Sequence, residues 1–175
     1  MSIVLNSSGG GSITINEPTT ASNFTHTLPA ATGDVMVSGN MPAFSAYSAS
    51  NQTVTANTFT KVILATEEFD TNSNFASSTF TPTVAGYYQV SGCIQFNTTV
   101  SLSRAFVQIY KNGSAFKYLT DIAGSASRVN GSCLIYMNGT TDNIELYGFM
   151  NGAGTLTFDS GSLGTYFQAT LVRAA

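Results

Sequence analysis

Hydrophobic and polar residues alternate with a period of two in short segments of this chain, strictly so at residues 12–16. Such alternation is typical of half-buried β-strands, because successive strand side chains point to opposite faces of a sheet. No segment keeps a sustained helical period. Strands are predicted at residues 58–64, 86–96, 104–111, 115–119, 132–137, 143–149, 154–158 and 165–172. Short strands at close spacing, with Gly and Asn turns between them, predict an all-β sandwich or barrel.

The dipeptide Asn112-Gly113 lies between two of these strands. A type I′ turn needs positive φ at both central residues, which Asn and Gly tolerate, so this pair predicts a tight β-hairpin. Asn138-Gly139 predicts another turn between strands.

The segment before Pro42 has a different pattern, and we predict an N-terminal attachment arm over residues 1–41 and a knob over residues 42–175. The arm holds an apolar run, a flexible stretch at 7–12, an alternating strand at 12–16 and a short strand around residues 24–28. These strands are too short to bury enough apolar surface to fold alone. We therefore expect the arm to dock on a partner rather than remain a loose tail. The residues expected to make this contact are Ile3, Val4, Leu5, Ile13, Ile15 and Phe24.

The amino-acid composition of the chain restricts the classes of function that we expect for it. Charged residues are 9% of the chain, against about 25% in a typical soluble domain. A surface made mainly of Ser, Thr, Asn and Gln repels its neighbours weakly, which suits a protein packed in an assembly. The net charge is −3, and no two of the six Lys and Arg residues are adjacent. Nucleic-acid binding needs clustered cations, so nucleic acid is not an expected partner.

The chain starts without the basic region of a signal peptide, and no apolar run approaches the roughly 20 residues that span a bilayer. We expect no membrane partner, and synthesis and assembly in a cytoplasm. In that reducing compartment, Cys93 and Cys133 are expected to be buried free thiols; a disulfide across the sandwich is the alternative.

Candidate catalytic or metal-binding residues are few. The single histidine, His26, is in phase with apolar neighbours, and with two distant cysteines it makes no convincing zinc site. Glu67, Glu68 and Asp70 form the densest acidic cluster, whose carboxylates would suit glycoside hydrolysis or Ca²⁺ binding. The simpler interpretation, a solvated loop, is favoured. We predict that the protein is not an enzyme and has no catalytic residue, cofactor or metal.

The stretch 69–92, FDTNSNFASSTFTPTVAGYYQVSG, resembles the C1q-like domain of the TNF-like jelly-roll superfamily. Phe80, Gly86 and Tyr88 have the spacing of the family's Phe-x5-Gly-x-Tyr motif, although Val90 replaces the following Phe. Residues 107–113 and 141–146 resemble two further family strands, and the resemblance covers residues 44–173.

This resemblance implies an antiparallel jelly-roll β-sandwich that forms a homotrimer, with aromatic side chains along the three-fold axis. The candidates for that interface are Tyr88, Tyr147, Phe149 and Phe167. The alternative is that they fill the core of one subunit.

The arm is similar to a segment common in structural proteins of tailed bacteriophages, with the run Ile3 to Ile15 followed by 20–25 and 28–33. In those proteins the segment joins the virion to a distal binding domain. The similarity implies a virion protein made in the host bacterial cytoplasm.

We therefore expect a trimeric capsid decoration, or cement, protein on the outer capsid surface that clamps neighbouring subunits of the major capsid protein. The alternative is the receptor-binding tip of a tail fibre or spike, with exposed loops at 45–57 and 121–130 contacting a host cell-surface glycan or protein. A polysaccharide depolymerase is the disfavoured third hypothesis.

Overall fold

A computed structural model describes residues 2–16, 19–23, 25, 27, 30, 35–97 and 101–175. The chain divides into two compact units, Met1–Gly33 (the arm unit) and Asp34–Ala175 (the knob unit). The sequence pattern predicts a knob that begins at residue 42, eight residues later, and the functional division into arm and knob stays a prediction.

The arm unit contains one antiparallel pair of strands, β1 (Ser2–Asn6) and β2 (Ser12–Asn16), in its described residues. We call this pair the arm hairpin.

The described part of the knob unit forms two antiparallel sheets that share one hydrophobic core. The first sheet has the spatial order β11 (Ser114–Ala123), β10 (Leu102–Lys111), β13 (Ile144–Gly152), β8 (Thr79–Phe80) and β7 (Phe75–Ala76), and β5 (Thr60–Lys61) also pairs with β13. The second sheet has the order β4 (Gln52–Val54), β14 (Leu156–Asp159), β9 (Gly86–Phe96), β15 (Tyr166–Ala174), β3 (Ala43–Tyr47) and β6 (Thr66–Asp70), and β12 (Arg128–Met137) also pairs with β9. A short 3-10 turn covers Ser38–Asn40.

The prediction of a strand over residues 58–64 is wrong in length, because only Thr60–Lys61 is a strand. Beyond it the Gln52 side chain replaces a neighbouring strand: its Nε2 donates to the Lys61 carbonyl and its Oε1 accepts from the Ile63 amide, both at 2.9 Å. A side-chain amide that satisfies the backbone in this way lets the segment leave the sheet without an unpaired buried group.

No helix in the described ranges has the length and hydropathy of a membrane span.

The Asn112-Gly113 hairpin is confirmed, with φ of 53° at Asn112 and 74° at Gly113 between β10 and β11. The Asn112 side chain also fixes the neighbouring connection at 138–143. Its Nδ2 donates to Asp142 Oδ1 at 2.8 Å and its Oδ1 accepts from the Asn143 amide at 2.9 Å. Lys111 Nζ lies 2.8 Å from Asp142 Oδ2, and these contacts hold the pKa of Asp142 below its usual value. This end of the sandwich is therefore tied together by its own turn residues.

The two sheets approach each other closely at glycines. A Cβ atom added at Gly92 on β9 would lie 2.4 Å from Cδ1 of Leu146 on β13. A Cβ added at Gly148 would lie 2.5 Å from Cζ of Phe158 and 2.6 Å from Cδ1 of Ile94. Large side chains of each sheet thus occupy the space above a glycine of the other.

An aromatic cluster fills one part of the core. The Phe44 ring stacks at 4.5 Å on both Phe75 and Phe80 and meets the Phe167 ring edge-on at 5.2 Å. Phe80 in turn meets the Tyr88 ring at 5.6 Å. Offset-stacked and edge-to-face rings stabilise a core beyond their buried area, so these residues bind the two sheets together.

We predict that Gly148→Ala lowers the free energy of unfolding by about 1–3 kcal/mol, because the added methyl group overpacks a site closed by Phe158 and Ile94. Urea denaturation of the two proteins measures the difference. Gly39→Ala is the matched control, since nothing lies within 4 Å of its added Cβ. Equal stability of all three proteins would contradict the close approach at Gly148.

Candidate functional site

The arm hairpin has one aliphatic face. In the β1–β2 register, Ile3 lies opposite Ile15 and Leu5 opposite Ile13, so the four side chains share one face of the ribbon. Val4 lies opposite Thr14 on the other face. All five aliphatic residues are between 54% and 68% exposed. Of the predicted contact residues, Phe24 lies outside the described residues, as does His26.

A closed loop joins the two arm strands, although the sequence analysis expected a flexible stretch at residues 7–12. The Ser7 amide donates to the Gly11 carbonyl at 2.7 Å, and the Gly10 amide donates to the Ser7 carbonyl at 3.1 Å. Gly10 has a φ of 88°, a conformation that favours glycine. The Gly-rich segment therefore sets the register that brings the four aliphatic residues together.

Two of the predicted trimer-interface residues require correction. Tyr88 and Phe167 are 0% exposed in one subunit, so neither side chain has surface left for a second subunit. Both lie in the aromatic core cluster described above. The Tyr88 hydroxyl donates to the Val84 carbonyl at 2.7 Å, and burial raises the pKa of Tyr88 to about 12. The alternative that the sequence analysis left open, a role in the core of one subunit, holds for this pair.

The other two predicted interface residues, Tyr147 and Phe149, lie half-buried on the face of the first sheet that points away from the core. Tyr147 stacks on Tyr110 at 3.7 Å, and burial raises its pKa. Phe149 packs against Phe59 and Phe106, each at 5.0 Å. These aromatic side chains largely cover one another. Their role in a trimer stays a prediction.

A more exposed apolar surface, which was not predicted from the sequence, lies on the face of the second sheet that points away from the first sheet. We call it the outer face. It carries Tyr87 on β9 and Leu134 and Tyr136 on β12, which are 45%, 54% and 45% exposed. Tyr87 lies opposite Tyr136, with the rings 5.5 Å apart. The alternation along β9 contained the signal, because residues 88, 90, 92, 94 and 96 point inward and Tyr87 must therefore point outward.

A pocket lies on the same outer face, towards the opposite edge of the second sheet. It has a volume of about 280 Å³. The residues that line it are Ala43, Phe44, Phe69, Gln89, Ser91, Gln168, Ala169 and Thr170. Small side chains on β3 and β9 leave a depression, and the exposed Phe69 ring and the two glutamine side chains stand at its sides.

Both cysteines are free thiols, as predicted, but only Cys93 is buried, whereas Cys133 is half-buried. Cys133 lies opposite Val90, whose side chain is in the core, whereas Cys93 lies opposite Asn130. Residues 90 and 93 differ by an odd number along β9, so the two sulfur atoms are on opposite faces of the same sheet. A disulfide between them is sterically excluded. Burial raises the pKa of both thiols.

The acidic cluster is a strand, β6, and not the predicted loop. Glu68 Oε2 accepts a hydrogen bond from the Ser45 hydroxyl at 2.7 Å. Asp70 Oδ2 accepts from the Phe75 amide at 2.7 Å, so this carboxylate closes the following turn. Glu67 points into solvent from an edge strand. Within the described residues, no group of three or more His, Cys, Asp or Glu side chains is placed to hold a metal ion.

We predict that Tyr88→Ala lowers the free energy of unfolding by about 3–5 kcal/mol, as expected for loss of a buried aromatic side chain. Tyr87→Ala, one residue earlier on the exposed face, should change the stability of the dilute protein by less than about 1 kcal/mol. Urea denaturation at low protein concentration compares the two. A larger loss for Tyr87→Ala would place the strand in the opposite orientation.

By sequence, the chain matches no family model and no curated protein. Solved structures are similar in fold. Eiger TNF from S. frugiperda is 8% identical with a TM-score of 0.56, covering 77% of this chain and 93% of that one. Murine APRIL is 10% identical with a TM-score of 0.51, covering 75% and 99%. PRD1 vertex protein P5 is 16% identical with a TM-score of 0.51, covering 75% and 97%. The chain therefore has the all-β antiparallel jelly-roll fold that its sequence predicts, similar to that of the TNF-like proteins.

Proposed function

We propose that this protein is a structural virion protein: a homotrimeric capsid decoration, or cement, protein whose arm clamps neighbouring subunits of the major capsid protein. The observation that carries the proposal is the arm hairpin, with four exposed aliphatic side chains on one face. A two-stranded hairpin is marginally stable at best in water. This hairpin therefore needs a partner surface that covers Ile3, Leu5, Ile13 and Ile15.

The chemistry of the arm hairpin indicates what kind of surface that is. Residues 2–16 contain no Asp, Glu, Lys or Arg, so charge neither steers nor selects the contact. Burying a Leu or Ile side chain fully contributes about 1.5–3 kcal/mol. The four side chains, already partly covered by the hairpin itself, would contribute somewhat less each. A capsid subunit that binds this ribbon would therefore need to offer an apolar groove or sheet face.

A trimer would make such modest contacts effective. The outer face of the second sheet exposes Tyr87, Leu134 and Tyr136 together, an apolar patch of the kind that marks protein–protein contacts. Three linked arms bind with avidity that exceeds a single contact by about 10²–10⁴-fold when the geometry permits simultaneous engagement. The jelly-roll likeness to a protein named as the PRD1 vertex protein supports a virion location.

The second candidate function is the receptor-binding tip of a tail fibre or spike. Two connections at one end of the knob unit favour it, because the Gly161 amide donates to the Ser48 carbonyl and the Ser160 amide to Asn51 Oδ1, both at 2.8 Å. These two hydrogen bonds order the connection that carries Leu163, whose side chain is 86% exposed and forms an apolar tip. The predicted binding loops are shorter than expected, because parts of 45–57 and 121–130 belong to strands. A host cell-surface glycan or protein would be the ligand.

We predict that replacing Ile3, Leu5, Ile13 and Ile15 together by Ser weakens binding to capsids that lack this protein by at least about 100-fold, since about 1.4 kcal/mol of lost burial is a tenfold effect. Deletion of residues 2–16 should abolish binding and leave a soluble trimer. Cosedimentation with capsids measures both. Val4→Ser, on the other face of the arm hairpin, is the matched control. Full capsid binding by the deletion variant would overturn the attachment role.

Copy number distinguishes the two candidate functions. A decoration protein should be present in purified virions in numbers that scale with the capsid lattice, whereas a fibre or spike tip should be present as a few trimers at the tail. Quantitative mass spectrometry of virions, with labelled protein imaged on the particle, decides between them. Tail-restricted label would exclude the cement role.

A further inference from the structure

The pocket on the outer face of the second sheet is built from two rows of strand residues. Gln89 and Thr170 are register partners on β9 and β15 and form one row. Ser91 and Gln168 are partners in the next row, which continues across β3 to Phe69 on β6. Neighbours on one strand are two positions apart, so all five side chains project from the same face of the sheet. Regular strands, rather than loops, therefore hold the walls of this pocket.

Four of these side chains are polar and are not used by the fold. Within the described part of the chain, no hydrogen-bond partner is found for the side chains of Gln89, Ser91, Gln168 and Thr170. Other glutamines are used: Gln52 Nε2 donates to the Lys61 carbonyl, and Gln95 Oε1 accepts from Arg128, both at 2.9 Å. Amides and hydroxyls each donate and accept hydrogen bonds. The pocket thus offers two of each group to a ligand.

The pocket also has an apolar side and no charge. Phe69 lies on β6, at the edge of the sheet, and its side chain is 51% exposed. The small side chains of Ala43 and Ala169 add apolar lining. Among the described residues, those that line the pocket include no Asp, Glu, Lys, Arg or His. A charged ligand would therefore lose hydration without gaining an opposite charge, which disfavours its binding.

The size of the pocket and the pairing of its strands restrict the ligand further. The volume of about 280 Å³ lies just below the range of about 300–1,000 Å³ that is typical of sites for drug-sized molecules. The strands that carry it, β9, β15 and β3, are already paired with one another. An extended peptide therefore finds no free strand edge there to pair with. A single sugar ring fits these limits, because it has an apolar C–H face and hydroxyl groups that both donate and accept.

We infer that this pocket binds one ring of a neutral carbohydrate. The C–H face of the sugar packs on the Phe69 ring, and its hydroxyl groups bond to the amides of Gln89 and Gln168. The rest of a glycan leaves the pocket across the sheet edge at β6. This inference deepens the second candidate function, on which its biological role rests, by placing the ligand on the sheet rather than in the loops. The binding itself requires neither the arm nor the trimer.

Titration of the isotope-labelled full chain with the methyl glycosides of glucose, galactose and N-acetylglucosamine, followed by NMR, tests the inference. At least one of these neutral sugars should shift the side-chain amide signals of Gln89 and Gln168. We expect a dissociation constant in the millimolar range, as is usual for a ligand of one ring. The methyl glycoside of glucuronate, a similar ring with a carboxylate, should bind at least about fivefold more weakly than the glucoside.

Two variants and a matched control localise the binding. Phe69→Ala should weaken binding of the same sugar at least about fivefold, because the ring that packs on the sugar is lost. Gln168→Glu keeps the shape of the side chain and removes the amide donor, so it should weaken binding by a similar factor. Phe116→Ala removes a ring of similar exposure, 47%, on the first sheet and should leave binding unchanged.

Three results would overturn the inference: amide signals that no neutral sugar shifts, Phe69→Ala binding as well as the natural chain, or glucuronate binding as well as glucose. Urea denaturation of each variant checks that it still folds. The capsid assays are independent of these measurements. Absence of sugar binding would leave the decoration role standing, whereas sugar binding by a protein found only on the capsid would overturn the tail location alone.

Discussion

The close approach of the two sheets of the knob unit depends on glycines that face large side chains. Leu146 fills the space above Gly92, and Ile94 and Phe158 fill the space above Gly148. Any larger residue at either glycine would force the sheets apart or its neighbours out of their rotamers. Dense packing of this kind fixes how the two sheets face each other. That arrangement determines which side chains are left outside, and the surface features of the knob follow from it.

The outer face of the second sheet illustrates this dependence. Because the Tyr88 side chain lies in the core, the Tyr87 side chain must point outward. Tyr136, the residue opposite Tyr87 on β12, lies beside it on the same face. The same alternation places the side chains of Cys93 and Cys133 on opposite faces of the sheet, which prevents a disulfide between them. The pocket near Phe69 is likewise a product of register, since small residues on neighbouring strands coincide there. A jelly roll with few charges can thus present an exposed apolar patch and a separate pocket on one sheet.

The arm hairpin differs from the knob unit because it is a single layer with an exposed aliphatic face. A short ribbon has no second layer, so its aliphatic face has nothing to pack on within its described strands. Its sequence keeps that face free of charge and supplies a Gly-rich loop that holds the register. An uncharged, exposed aliphatic face on a short ribbon is unfavourable for an independent fold and favourable for docking on a partner surface. The contrast between a self-sufficient sandwich and a dependent ribbon supports the proposed attachment role.

The sequence by itself determined the fold class, the Asn112-Gly113 hairpin and the aliphatic character of the arm, because strand alternation and turn chemistry are local properties. It did not determine which aromatic residues are exposed: Tyr88 and Phe167 lie in the core, whereas Tyr87, Leu134 and Tyr136 form the surface. It also could not predict that Gln52 would end the strand at Lys61, or that a pocket would form beneath Phe69. Those features depend on which strands become neighbours and in what register. Such pairings join residues far apart in sequence, and only the tertiary structure decides them.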